Sequence, residues 1–172
     1  MIREWQGLGY NRRGLNLHRA AGHIAAHGWP DDLTELPGVG PYTAAAVGNF
    51  ALGRDVLPVD TNVRRIEERT GHAFGPAAAQ ALMDLGATVC LARLPRCGVC
   101  PLAALCPSRG RRYEPLRKQS RFEGSFRQRR ANTLRLVADQ ERPLSELDGE
   151  AVASLARDGL VRVESDVVAL PT

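Results

Sequence analysis

Four cysteines fall within seventeen residues, Cys90, Cys97, Cys100 and Cys106, in the spacing C-x6-C-x2-C-x5-C. Thiolates so spaced can wrap one small metal centre. Two centres accept four cysteines, a tetrahedral zinc ion and a 4Fe–4S cluster. Zinc ribbons usually carry two C-x2-C knuckles and this chain has one, which favours iron–sulfur. A redox C-x-x-C opens a helix in a βαβ unit, and nothing here resembles that. Pro95, Pro101 and Pro107 stiffen the loop, so Arg93, Arg96 and Arg109 would be presented outward by a rigid support. Such a surface suits phosphates.

Two further features precede the cysteines. The run LPGVGPYT, Leu36 to Thr43, places Gly38 and Gly40 in a tight turn before a helix. Glycines there permit positive φ and close approach of a partner to the backbone. Free N–H groups at the helix start can donate to a phosphate. The candidate contacts are Gly38, Val39, Gly40, Tyr42 and Thr43, and such a grip would be independent of base sequence. A turn that merely packs two helices is the plainer alternative. Asp60 follows, in Val59-Asp60-Thr61-Asn62-Val63. It can cap a helix, or its carboxylate can do chemistry. The two roles are compatible, because capping orients the carboxylate. Arg64 and Arg65 read as solvated charges or as phosphate contacts. His18, His23, His27 and His72 lack ligand spacing and read as helix-surface or helix-end residues. Trp5 and Trp29 read as core.

The elements that must position these residues are helices. Leu15–His27 has helical apolar spacing and stops at Gly28-Trp29-Pro30. Asp31 or Asp32 can cap a short helix through Leu36. Further helices are expected over Tyr42–Leu52, Thr61–Thr70 and Pro76–Leu91, with Val56–Val59 a short extended link. Past Pro107 the composition changes. Ten arginines and lysines lie between Ser108 and Arg135, against only Glu114 and Glu123. Beyond this basic run, helices are expected at Arg127–Ala138 and Glu150–Asp158, with a short element at Pro143–Leu147. A hairpin pairs Leu160–Val163 with Val167–Leu170 across Glu164-Ser165-Asp166. That order is a winged-helix pattern. The expected domains are 1–107, with the cluster loop at 90–106, a basic linker at 108–126, and a small domain at 127–172.

The totals agree with a soluble, mainly α protein. Of 172 residues, 44% are apolar and only 5% aromatic, so Ala, Leu and Val must fill the core. The formal charge of +4 favours nucleic acid only slightly over any other basic protein. No run approaches the roughly 18 apolar residues that span a membrane. No apolar run follows the charges of MIREWQGLGYNRR, so a signal peptide is not expected. The expected compartment is the cytoplasm, where cysteines stay reduced.

LPGVGPYTA, then VDTNV, then the four cysteines, in this order, closely resemble the helix-hairpin-helix DNA glycosylases of the endonuclease III superfamily. The resemblance covers about residues 3 to 110. The run WQGLGYNRRGLNLHRAA is similar to the branch of A/G-specific adenine glycosylases, as is Leu82–Cys90. It implies a helix-hairpin-helix glycosylase fold with an iron–sulfur loop, followed here by a small winged-helix-like α+β tail. It implies that Cys90, Cys97, Cys100 and Cys106 hold a 4Fe–4S cluster, with zinc as the lesser alternative. It implies that Tyr10 wedges into the base stack and that the hairpin, with Arg64, grips double-stranded DNA carrying a mispaired or oxidised base. Asp60 would stabilise the positive charge that develops on the deoxyribose as the glycosidic bond breaks. Bifunctional relatives carry a lysine at the position of Tyr42, and a phenol forms no Schiff base. A monofunctional enzyme is therefore implied; a monomer is expected.

The chain departs from the family pattern in three places. The helix bearing Gln-Gln-Thr and the general-acid glutamate has no counterpart, and neither Glu4 nor Glu35 matches that acid. Without an acid the leaving adenine departs unprotonated, at a cost of about 10²–10⁴ in rate. The expectation is a late-assigned start, a gene remnant, or a reduced protein that binds DNA without cutting. The segment after Thr70 reaches the cysteines in fewer residues than relatives use. The tail is too short for a Nudix-like domain that checks for 8-oxoguanine, and its basic residues offer an alternative DNA contact. The rival readings are a non-catalytic iron–sulfur DNA-binding remnant, a glycosylase of other base specificity, and a zinc-stabilised transcriptional module.

Overall fold

A computed structural model describes residues 1–112 and 121–171. Arg117 and Lys118 of the expected basic linker lie outside the described residues. The chain divides into two units. One takes Met1–Pro30, Leu36–Gly38 and Gln119–Thr172, and the other takes Asp31–Glu35 and Val39–Lys118.

The first unit joins helix α1, Asn11–His27, to the C-terminal tail. The tail runs α5 (Phe126–Asp139), β1 (Arg142–Pro143), α6 (Gly149–Arg157), β2 (Arg162–Glu164) and β3 (Val167–Ala169). Its sheet is antiparallel in the order β1-β3-β2. Val163 pairs with Val168 and Arg142 with the same residue on the other side. Helix, short strand, helix and hairpin give the winged-helix-like tail. Ser165 and Asp166 both take positive φ, which closes the hairpin tightly. Leu134 and Val137 of α5, Val152 and Leu155 of α6, and Val168 of β3 form one core. Ile2 and Leu15 from the N-terminal segment belong to that same core. Arg3 adds a bond from Nε to the Ala138 carbonyl at 2.9 Å.

The second unit is built on α2 (Pro41–Leu52), α3 (Thr61–Thr70) and α4 (Ala79–Thr88). Val63 and Ile66 of α3 meet Leu82 of α4, with Leu57, Val59, Phe74, Leu85 and Leu102 packed around them. Val56–Val59 is extended without strand pairing. The helix expected over Pro76–Leu91 is broken into a 3-10 turn at Pro76–Ala78 and the shorter α4. It ends early because the Cys90 N–H bonds the Leu85 carbonyl, while the Gly86 carbonyl it would need accepts from the Arg65 guanidinium. Trp29 is not core, being 63% exposed. Trp5 is half-buried, and a Cβ on Gly14 would come within 2.6 Å of its ring. No helix among the described residues is long and apolar enough to cross a membrane.

Helix α6 carries a pH signature. Asp148 caps it, accepting from Ala151 N at 2.9 Å. That backbone bond, helped by Arg129, holds the Asp148 carboxyl below its ordinary value of 3.8. A depressed carboxyl contributes stability above the unfolded value and loses it as pH falls through the folded one. Asp148→Asn keeps a capping oxygen but removes the titration. Thermal melts should therefore show the wild-type advantage over Asp148→Asn shrinking as the pH is lowered through the acid range below 3.8.

Candidate active site and cysteine loop

Asp60 sits at the N-cap of α3 in extended backbone. Its Oδ1 accepts from the backbone N–H groups of Asn62 at 2.8 Å and Val63 at 2.7 Å. Its Oδ2 accepts from the Asn62 side-chain Nδ2 at 2.9 Å. The carboxylate is half-buried and fixed by three donors. Capping and orientation are thus delivered by the same bonds. The sequence reason is local. Aspartate before Thr-Asn-Val satisfies the first N–H groups of a helix whose other end stops at Gly71, φ 72°.

The hydrogen bonds do not stop at Asn62. Its Oδ1 accepts from Arg65 Nη2 at 2.7 Å. Arg65 also donates from Nε to the Cys90 carbonyl at 2.9 Å and from Nη2 to the Gly86 carbonyl at 2.7 Å. A continuous path therefore runs from Asp60 through Asn62 and Arg65 to the first cysteine. Arg65 is not a solvated charge, which corrects the sequence expectation; Arg64 beside it is exposed. Gly86 makes the path possible, since a Cβ there would lie 2.5 Å from the Asn62 Cβ.

One turn further along α3, Arg69 is only 6% exposed. Its Nη1 donates to the Cys90 Sγ at 3.3 Å and to the Leu91 carbonyl at 2.8 Å, and Nη2 to the Ala92 carbonyl at 2.7 Å. Gly110 N donates to the Cys97 Sγ at 3.3 Å. Cys90, Cys97, Cys100 and Cys106 are half-buried and line one cavity, together with Ile66, Arg69 and Leu102. Among the described residues, no three metal-ligating side chains converge on a point that would hold a single ion. Four thiols around one apolar-walled cavity, two of them accepting N–H bonds, fit a cluster with cysteine ligands. Arg93, Arg96 and Arg109 are exposed on this loop.

Arg69, Asn62 and Gly86 were not singled out as site residues by the sequence, and Arg65 was read only as a solvated charge or a phosphate contact. A signal existed: two arginines at i and i+4 on the helix that follows the aspartate share one face.

The hairpin glycines serve different ends. Gly38 has φ 78°, and a Cβ would meet the Asn16 side chain at 2.3 Å. Gly40 is extended and stands at the N-cap of α2, with Pro41 at the first position and no side chain capping the helix. The early N–H groups of α2, at Tyr42 and Thr43, are therefore left to an outside acceptor. Tyr42 is 44% exposed, Thr43 is exposed and Val39 half-buried. Tyr10 belongs to the first unit, at the N-cap of α1. It is 75% exposed in the left-handed conformation, φ 47°. Gly7 and Gly9, also at positive φ, form the loop that leads to it, and Trp5 Nε1 donates to the Gly9 carbonyl at 2.9 Å.

No family model matches the chain. It is similar to the adenine DNA glycosylase of Mycolicibacterium smegmatis, 36% identical across 96% of this chain and 71% of that protein. It is also similar to the adenine DNA glycosylase of Mycobacterium tuberculosis, 39% identical across 94% of this chain and 68% of that one. Among solved structures, a non-covalent endonuclease III–DNA complex aligns with a TM-score of 0.48 and 27% identity, covering 59% of each chain. The first two matches span nearly the whole sequence, the cysteine loop and the tail included. The chain belongs to the adenine DNA glycosylase family.

Proposed function

We propose that the chain acts in base-excision DNA repair as a monofunctional glycosylase, hydrolysing the N-glycosidic bond of adenine mispaired with guanine or 8-oxoguanine. The observation that carries this reading is the Asp60 carboxylate, held by three donors at the head of α3. A fixed carboxylate in a partly dried site stabilises the oxocarbenium-like charge as adenine departs and orients the attacking water. The adenine must first leave the base stack, with Tyr10 filling the gap and the α2 N–H groups, with Gly38, Val39, Gly40, Thr43 and Arg64, holding phosphates. Tyr42 offers no amine, so the sugar is left as a hydrolysed abasic site.

Cys90, Cys97, Cys100 and Cys106 would hold a 4Fe–4S cluster. When bound, it would rigidify the arginine-bearing loop as a DNA-facing surface. What supports a cluster over zinc is the cysteine spacing, with one C-x2-C knuckle where zinc ribbons usually carry two. We read the protein as a monomer of the bacterial cytoplasm, working on the nucleoid. The rival reading is DNA binding without turnover.

Single-turnover assays on duplexes with adenine opposite 8-oxoguanine, guanine or thymine test the proposal. Adenine should be released opposite 8-oxoguanine and guanine and retained opposite thymine. Binding without release would select the rival reading. The purified protein should be brown, with roughly four irons per chain. A colourless, zinc-loaded protein would overturn the cluster.

A further inference from the structure

We propose that the tail supplies a DNA contact of its own, in which Phe122 and Arg127, sharing a cleft with Tyr10 and Arg13, grip one strand by base stacking and phosphate pairing. This rests on the function proposed above only in taking DNA as the substrate.

The cleft lies wholly within the first unit and measures about 430 Å³. That is within the roughly 300–1,000 Å³ of typical ligand sites. Its walls carry Tyr10, Arg12 and Arg13 from the start of α1, and Phe122, Arg127 and Arg130 from the approach to α5 and its first turns. Among the described residues, four arginines face one acid, Asp158. Asp158 is engaged by Arg130 at 2.6 Å and Arg12 at 3.7 Å. The cleft therefore keeps a positive balance, suited to an anionic strand.

The aromatics indicate what kind of strand. Tyr10 is 75% and Phe122 51% exposed, so each ring is open to water and not packed in the core. The Arg127 guanidinium lies 5.9 Å from the Phe122 ring centroid, so cation and ring form one continuous wall. Aromatic faces beside arginines are how proteins hold unpaired bases with their backbone.

The rest of the tail carries no such run of positive charge. In the wing Glu164 is paired with Arg162 and Asp166 is exposed, and on α6 Glu150 is paired with Arg129 while Arg157 in the last turn is followed by Asp158. The wing and the second helix, the usual DNA-reading parts of such a module, thus hold no excess of positive charge. The basic, aromatic side is the one that α5 shares with α1.

The test is fluorescence anisotropy of the full chain with a labelled duplex bearing adenine opposite 8-oxoguanine, over a range of salt concentrations. The variants are Phe122→Leu, Arg13→Ala/Arg127→Ala, and Arg135→Ala, which removes an exposed α5 charge outside the cleft. Folding is checked by circular dichroism. Phe122→Leu keeps apolar bulk but loses stacking and should weaken binding about tenfold. The double arginine variant should weaken it further and reduce the salt slope by about two. Arg135→Ala should change affinity less than twofold. Unchanged affinity and slope in the cleft variants, or an equal loss in Arg135→Ala, would overturn the proposal. Adenine release with cleft variants that bind normally would overturn this contact and leave the enzyme reading standing. Weakened binding in the cleft variants with no adenine released by any protein would do the reverse. Absence of DNA binding by the wild type would overturn both.

Discussion

Asp60→Asn should leave the chain folded and bound to DNA while lowering the rate of adenine release by at least about 10²-fold. The fold survives because asparagine still offers one oxygen to the Asn62 and Val63 N–H groups. What it loses is the negative charge beside the developing cation. A second cost follows from the hydrogen-bond path. The new amide presents N–H groups to Asn62 Nδ2, donor against donor. Asn62 cannot turn its oxygen round without abandoning Arg65. The variant should therefore be destabilised by about 1 kcal/mol, the lower end for an unmatched polar group in a half-buried site. Denaturant unfolding measures that term, and single-turnover kinetics measures the chemical one.

Arg65→Leu should damage both the site and the cysteine loop, although Arg65 would touch no reacting atom. Four acceptors lose a charged donor together: Asn62 Oδ1 and the carbonyls of Thr61, Gly86 and Cys90. The expected loss is about 2–4 kcal/mol of stability, because the carbonyls of buried Gly86 and half-buried Cys90 are left without their partner. The activity should fall by about tenfold or more as Asn62 ceases to hold the Asp60 carboxylate. Iron content should drop as Cys90 is loosened. Arg65→Lys should rescue little, since one ammonium cannot span acceptors arranged for a planar fork. Melting temperature, iron per chain and single-turnover rate, measured on both variants, check this. Wild-type iron and rate in Arg65→Leu would show the path to be incidental.

The parts of this site that were legible in the sequence are those written locally. Helix α3 was read to the residue, because its aspartate cap and glycine stop lie within the helix's own neighbours. The cysteine spacing and the Gly38–Gly40 hairpin are likewise short-range patterns. The β2–β3 hairpin followed from Glu164-Ser165-Asp166 between valine-rich runs. Strand β1 was missed because two residues, one of them Pro143, make no periodic pattern; it exists only by pairing with Val167 and Val168. Arg65 was misread for a related reason. A helical arginine looks solvated unless its acceptors are known, and these lie 21 and 25 residues away. The core shared by Leu15 with Leu134 and Leu155 is equally invisible to periodicity, which shows that a face is apolar but not what covers it.

The most direct test of the central claim is free-adenine release under single-turnover conditions, from a duplex with adenine opposite 8-oxoguanine, by wild type and Asp60→Asn side by side, with borohydride present in a parallel reaction. The account predicts free adenine and an intact abasic strand from the wild type, both formed at least about 10²-fold more slowly by Asp60→Asn, and no trapped protein–DNA adduct from either. A trapped adduct, or equal release by the two proteins, would contradict it.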